Sequence, residues 1–183
     1  QSTVARMTTD QIAALSTTQV AALTTKQIVM LTSAQVGALS LDDIEVLSTS
    51  QLTVLGTLAM TGLSSDQIST LSSSQLAVLT TKQIASLTST QIESLTTDTL
   101  ALLSTTQIAA ISVTGVTGFT SKQLSSLTTA QVAAFVPTQV AAMKSDQLAG
   151  LDTQALATFS TQDMAAITAS AIQGIATEVL ATL

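Results

Sequence analysis

Residues 79–86 read Leu-Thr-Thr-Lys-Gln-Ile-Ala-Ser, and this eight-residue unit decides the fold. From Met7 to Leu183 an apolar residue recurs at every eighth position without one insertion. We number the octad from this residue, so Leu79 occupies position one and Ile84 occupies position six, which is equally strict. The consensus is Leu-Thr-Thr-x-Gln-Ile-Ala-Ala. Residues 1–183 are therefore predicted to form a single repeat array of about 22 octads, with no internal domain boundary.

The spacing of the two apolar positions allows us to choose among three backbone conformations: a strand, one continuous helix, and a short helix in each octad. In a strand, which alternates faces with period two, positions one and six would point to opposite sides. In one continuous helix the apolar spacings of five and three average four residues per turn, so the stripe would drift by roughly 80° per octad. The remaining conformation is a short helix in each octad that is broken at every junction, and we expect this one.

Local chemistry favours a helix start inside every octad. Position two is Ser or Thr in 17 of 22 octads, and position five is Gln in 14 of 22, which is the spacing of a capping box. Pro137 falls at position three, the first helical residue, where a missing N–H does no harm. We predict a helix of about two turns, from position three to about position one of the next octad. The representative cap residues are Thr24, Gln27, Thr80, Gln83, Ser104 and Gln107.

The core is predicted from the same register. Position six and the next position one are three residues apart, so they share one face of the helix. Position four points away from that face and carries nine of the sixteen charged residues. The residues expected to form the core include Leu15, Leu23, Leu31, Leu71, Leu79, Ile12, Ile28, Ile84, Phe119 and Phe135.

Helices this short are not stable alone in water, so each must pack on its neighbours along a superhelix. The predicted fold class is all-α: a solenoid of very short helices, one per octad, around a central Leu/Ile/Val core. Two octads per superhelical turn would set the helices around a thin core, and three or more would leave a wider centre. The sequence leaves that number and the handedness open.

Composition limits the function. The chain has no His or Cys and a net charge of −6, with five basic residues that do not cluster. Nucleic acid is therefore not an expected partner, because phosphate backbones require clustered cations. No apolar run approaches the roughly 20 residues that span a bilayer, so membrane insertion is not expected. No enzyme activity, cofactor or metal site is expected, and Asp42, Asp43 and Glu45 form an acidic cluster that matches no EF-hand.

Several octads depart from the consensus. Residues 55–62 lack both the cap residue and the glutamine, and Gly115 stands at position five of its octad. The last four octads have Ala155, Asp163, Ala171 and Val179 there. Val4 already lies in the position-six register and Leu183 is a position-one residue. We therefore expect either an excerpt of a longer array or chains that stack end to end, since heterologous contacts of that kind generate open fibres.

The consensus resembles the octapeptide arrays of large secreted or surface-attached bacterial proteins, and the resemblance covers nearly the whole chain. It implies an extracellular, structural or filament-forming protein whose partners are copies of itself or neighbouring repeats. The alternative is a binding module, either an adhesin or an ice-binding solenoid. The first few residues of the consensus also resemble the opening of transcription activator-like effector repeats. The base-reading loop of that longer unit is absent, so DNA recognition does not carry over.

Overall fold

The computed structural model describes residues 3–181, so Leu183 lies outside the described residues. This part of the chain contains 21 short α-helices and two 3₁₀ segments, with no β-strand. The 3₁₀ segments are Thr3–Arg6 and Ile172–Gly174. The α-helices are α1 Thr9–Ala13, α2 Thr17–Ala21, α3 Thr25–Ile28, α4 Ser33–Gly37, α5 Leu41–Glu45, α6 Thr49–Val54, α7 Thr57–Met60, α8 Ser65–Thr70, α9 Ser73–Ala77, α10 Thr81–Ser86, α11 Ser89–Ser94, α12 Thr97–Leu100, α13 Thr105–Ala110, α14 Val113–Val116, α15 Ser121–Ser125, α16 Thr129–Val132, α17 Pro137–Val140, α18 Ser145–Leu148, α19 Thr153–Leu156, α20 Thr161–Ala166 and α21 Thr177–Leu180.

Each α-helix begins at position three, as the capping pattern predicts. The residue before it has extended backbone; Thr80, for example, has φ −69° and ψ 158°. The helices are shorter than predicted, because they have four to six residues and end before position one. The last turn tightens instead: the N–H of Leu87 bonds to the carbonyl of Ile84 at 3.2 Å, and Leu87 is itself extended. That residue redirects the chain into the next octad.

Successive helices wind into a superhelix in which each helix packs on the third one before it, such as α13 on α10 and α14 on α11. The closest backbone approaches give the repeat length of this superhelix. Gly118 lies against Ser89 and Gly150 against Ser121, in both cases 29 residues apart. Twenty-nine residues are about 3.6 octads. The number of octads per turn, which the sequence left open, therefore lies between three and four.

Leu and Ile side chains fill the centre of the superhelix. Position-six residues Ile12, Ile28 and Ile84 are at most 1% exposed, so no water-sized space adjoins them. The position-one residues Leu31, Leu71, Leu79, Phe119 and Phe135 are also buried. The rings of Phe119 and Phe135 meet edge to face, with centroids 6.0 Å apart.

Seven apolar residues of the strict register are not fully buried in the described chain. Met7, Leu15 and Leu23 are half-buried, because they belong to the first superhelical turn and no earlier turn of the described chain covers them. Met164 and Ile167 are half-buried as well. Near the other end, Ile172 is 41% exposed and Leu180 is 37% exposed, although both occupy position six. Around Ile172 the octad forms a 3₁₀ segment, which turns its side chains to different faces, and Ala171 is buried instead.

Candidate functional site: the glutamine ladder

The position-five glutamine makes contacts in two directions, and Gln83 is representative. Its Oε1 accepts a hydrogen bond from the main-chain N–H of Thr80 at 2.9 Å, which closes the capping box of its own helix. Its Nε2 donates to the main-chain oxygens of Leu52 at 2.7 Å and Leu55 at 2.8 Å. These two residues lie in the preceding superhelical turn. One side chain therefore caps a helix and joins two turns.

The same pair of contacts recurs along the array. In eleven octads Nε2 donates to the carbonyls 31 and 28 residues earlier, at distances of 2.7–3.1 Å. We call this set the glutamine ladder. Its members are Gln35, Gln51, Gln67, Gln75, Gln83, Gln91, Gln107, Gln123, Gln131, Gln139 and Gln147, and all are buried.

Only a neutral amide can fill both roles of a ladder position. The capping role requires an acceptor, and the turn-joining role requires a donor on the same planar group. A capping box accepts Glu as readily as Gln, yet position five contains 14 Gln and no Glu. Sequence reasoning assigned the glutamine to capping alone and missed the ladder. The absence of Glu was the signal that could have revealed it.

The structure places the six representative cap residues at three helix starts. Thr80 with Gln83 and Ser104 with Gln107 form both hydrogen bonds of the capping box. Thr24 differs, because its hydroxyl donates to Oε1 of Gln27 at 2.9 Å. The N–H of Gln27 bonds instead to the main-chain oxygen of Thr24, also at 2.9 Å. That octad has only the glutamine half of the box.

Two further octads show that the glutamine half can stand alone. Val136 and Lys144 occupy the cap position and offer no side-chain acceptor, so neither caps its helix. Their N–H groups still donate to Oε1 of Gln139 and Gln147, at 2.9 and 2.8 Å. Both glutamines remain members of the ladder. The turn-joining contact therefore does not depend on the hydroxyl.

The first superhelical turn presents the same glutamines without the turn-joining contact. Gln11 and Gln19 are exposed and Gln27 is half-buried. Their Oε1 atoms accept from the cap residues, but within residues 3–181 their amide nitrogens donate no hydrogen bond. Beside Gln11 lies an open groove of about 520 Å³ that Thr3, Arg6, Met7 and Ala14 also line. The first superhelical turn therefore exposes glutamine amide nitrogens, which in later turns donate hydrogen bonds to the preceding turn.

Eight octads lack glutamine at position five, and two of these have aspartate there. Oδ2 of Asp43 accepts from the N–H of Ser40 at 2.9 Å, and Oδ2 of Asp163 accepts from the N–H of Ser160 at the same distance. Each carboxylate thus takes over the capping role of a glutamine oxygen. Oδ1 of each is buried and has no hydrogen-bond partner among the described residues.

The acidic cluster of the sequence does not come together. Asp43 points inward, whereas Asp42 and Glu45 on the same helix are exposed. Among residues 3–181, no group of three or more His, Cys, Asp or Glu side chains is arranged to hold a metal ion. No helix of the described chain is both long and apolar enough to cross a membrane.

Comparison with known proteins shows that part of the chain is similar to a repeat family. Residues 4–41 match the family model described as ALTTAQ repeat. The matched stretch contains α1 to α4, including the exposed glutamines of the first turn. The chain is thus similar to that repeat family over its first superhelical turn. No curated protein matches the chain.

Proposed function

We propose that this protein is an extracellular structural repeat protein, acting as a spacer or as the subunit of a self-assembling filament, and that it has no catalytic activity. The glutamine ladder is the observation that carries this proposal. It joins successive turns from Gln35 to Gln147 and uses the same pair of contacts in each of its eleven octads. Such a device supports mechanical continuity along an axis and forms no unique cleft for a substrate.

The ladder supports stiffness in particular. Each ladder glutamine gives two buried hydrogen bonds between turns, and each such bond contributes roughly 0.5–1.5 kcal/mol to stability. These bonds add to the apolar packing of position one and position six. Because the bonds recur in consecutive octads around the superhelix, bending the rod in any direction would stretch several of them. A spacer of defined length requires that property.

The first-turn face supports self-assembly. Gln11, Gln19 and Gln27 expose the amide donors that inner turns direct at main-chain carbonyls. The surface that complements these donors best is another turn of the same array, whether from neighbouring repeats or from a second copy. We therefore take the expected partner to be another stretch of this repeat. The few charges, together with abundant Thr, Ser and Gln, support a secreted setting.

No observation favours the alternative of an ice-binding or adhesive face. An ice binder needs hydroxyls in flat, regular columns, but the 29-residue approach between turns is not a multiple of eight. Position eight therefore lies over position three of the turn below, as Gly118 lies over Ser89. Threonines at one octad position do not stack in a column along the axis. Their position-two hydroxyls are also used in caps.

Negative-stain microscopy of the purified chain tests the filament. We expect thin rods that lengthen as protein concentration rises, because end-face contacts are intermolecular. A Q11E/Q19E/Q27E variant should remain folded and monomeric, since its first turn would direct carboxylates at carbonyl oxygens. The matched control T18E/A34E/S50E adds three carboxylates at position four on the outer surface. It should polymerise like the parent chain.

Different results would contradict the filament and the spacer. Discrete rods of one length at every concentration would exclude the filament and leave the spacer. Equal polymerisation of the Q11E/Q19E/Q27E variant would show that this face is not the contact. A compact or flexible particle in small-angle X-ray scattering would contradict both forms, because each requires an extended rigid rod.

A further inference from the structure

Two buried carboxylates stand at ladder positions where the array otherwise places a neutral amide. Asp43 is 1% exposed and Asp163 is 6% exposed. In each, Oδ2 closes the capping box, so Oδ1 takes the place of the glutamine nitrogen. That oxygen is buried without a hydrogen-bond partner in the described chain. The same arrangement occurs in α5 and in α20, far apart in sequence.

The ladder offset identifies what faces each unpartnered oxygen. Every ladder glutamine meets carbonyls 31 and 28 residues earlier, which for Asp43 are those of Ile12 and Leu15. For Asp163 the corresponding carbonyls belong to Val132 and Phe135. An oxygen acceptor therefore faces two oxygen acceptors. Asp is also one methylene shorter than Gln, so the carboxylate stands back from the carbonyls by roughly 1.5 Å.

Charge makes the arrangement unfavourable as it stands. A buried carboxylate is strongly destabilising unless a positive charge or hydrogen-bond donors compensate it. The chain has only five basic residues, and Lys26, Lys82 and Lys122 lie at position four on the outer surface. A water molecule could bridge the oxygens but would leave the negative charge uncompensated. A small cation provides both bridging and compensation.

We propose that Asp43 and Asp163 each bind a small hard cation, of the size of Ca²⁺ or Na⁺, between the carboxylate and the main-chain oxygens of the preceding turn. Carboxylate and carbonyl oxygens are the ligands that such ions prefer, at 2.3–2.6 Å for Ca²⁺. Mg²⁺ is a poorer fit, because it demands near-ideal octahedral geometry, whereas Ca²⁺ accepts irregular sets of oxygen ligands and can complete its coordination with water. The cation takes the bridging place of the glutamine nitrogen and joins the turns in its stead.

Isothermal titration calorimetry and thermal melting of the full chain test the proposal. The chain is first freed of metal with a chelator in tetramethylammonium chloride, and CaCl₂ or NaCl is then titrated at constant ionic strength. We expect two ions bound per chain. The melting temperature should rise by about 2 °C or more at about 10 mM CaCl₂, well above the roughly 0.1–1 mM dissociation constants of weak oxygen-ligand sites.

The D43Q/D163Q variant is the decisive comparison. It restores the majority residue of the ladder, so it should fold, bind neither ion, and melt at a temperature that does not respond to either salt. The control D42N/D146N removes two exposed carboxylates from position four and should bind two ions as the parent does.

Three results would overturn the proposal. The first is no heat of binding and no shift in melting temperature for the parent chain. The second is unchanged binding by D43Q/D163Q. The third is a parent chain that gains stability on acidification while neither salt has an effect, because a proton would then compensate the carboxylates. None of these results depends on whether the chain forms filaments.

Discussion

The amide nitrogen of Gln91 lies 2.8 Å from the main-chain oxygen of Leu63, which precedes it by 28 residues in sequence. The same nitrogen lies 2.8 Å from the oxygen of Met60, while its partner atom Oε1 accepts from the N–H of Thr88 at 3.0 Å. A single buried amide therefore joins the start of one helix to the end of another in the turn below. The contacts between turns at a ladder position therefore depend on a single atom, the Nε2 of its glutamine.

Replacing Gln91 by Glu should destabilise the protein by more than about 2 kcal/mol. The carboxylate retains the capping contact but directs a buried charged oxygen at two carbonyls, and an unsatisfied buried group costs roughly 1–3 kcal/mol, or more when charged. Chemical denaturation followed by circular dichroism measures the loss. The control is Q11E, the same replacement in the first turn, where Gln11 is exposed and we expect little change. Equal losses in the two variants would contradict the ladder.

Removing the hydroxyl half of a capping box should cost less. In Thr80→Ala the acceptor for the N–H of Gln83 is lost, while the ladder contacts of Gln83 to Leu52 and Leu55 remain. We expect a loss of about 1 kcal/mol in the free energy of unfolding. Thr81→Ala, one residue later on an exposed helical position, serves as the control. If both variants unfold like the parent, the hydroxyl contributes nothing to the helix start.

Supplying a missing cap should have the opposite effect. Val136 precedes Pro137 with extended backbone and offers no side-chain acceptor, so the N–H of Gln139 bonds only to the main-chain oxygen of Val136, at 2.9 Å. Val136→Thr should therefore raise the free energy of unfolding by about 1 kcal/mol. Val113→Thr makes the same chemical change at an exposed residue one position after Ser112, which already caps α14, so the new hydroxyl does not serve as a cap. A gain confined to the Val136 variant is the expected result of parallel denaturant titrations.

Close backbone packing constrains Gly118. A Cβ atom at this residue would overlap the main-chain carbonyl of Ser89 in the preceding turn, so one of the two backbones would have to shift. Gly118→Ala should destabilise the protein by about 1–3 kcal/mol, the usual cost of overpacking. Nothing lies within 4 Å of the corresponding atom at Gly56, so Gly56→Ala is the matched control. A thermal melt of Gly118→Ala that overlays the control would show that the turns do not approach this closely.

Much of the fold was predictable from the octad because local chemistry alone sets it. Position two and position five define each helix start, so the beginning of α10 at Thr81 was predicted correctly. The helix ends were predicted too late. The extended backbone of Leu87 follows from the path into the next octad, which is a tertiary property. The number of octads per superhelical turn also depends on tertiary packing, so the sequence of one octad does not determine it.

The ladder was harder to predict because its partners are distant main-chain oxygens, which every residue possesses. No residue type at Leu52 or Leu55 marks them as acceptors for Gln83. The partial exposure of Leu15 has a similar origin, since the register makes it equivalent to Leu79 and only the missing turn below distinguishes them. The sequence of an octad determines which contacts its side chains can make. Whether those contacts form depends on whether a preceding turn of the superhelix lies against that octad.

The ladder's backbone acceptors also bear on how such a gene can change in length. If one whole octad were removed, every later glutamine would still find position-six and position-one carbonyls 31 and 28 residues before it, now supplied by a different octad. Deleting four residues would instead bring the wrong positions opposite each other. Gain or loss of twenty-four nucleotides therefore preserves the contacts between turns, although eight residues do not complete a turn. The array can therefore gain or lose single octads even though one superhelical turn contains between three and four of them. This is possible because the contacts between turns are made to main-chain oxygens, which every residue has.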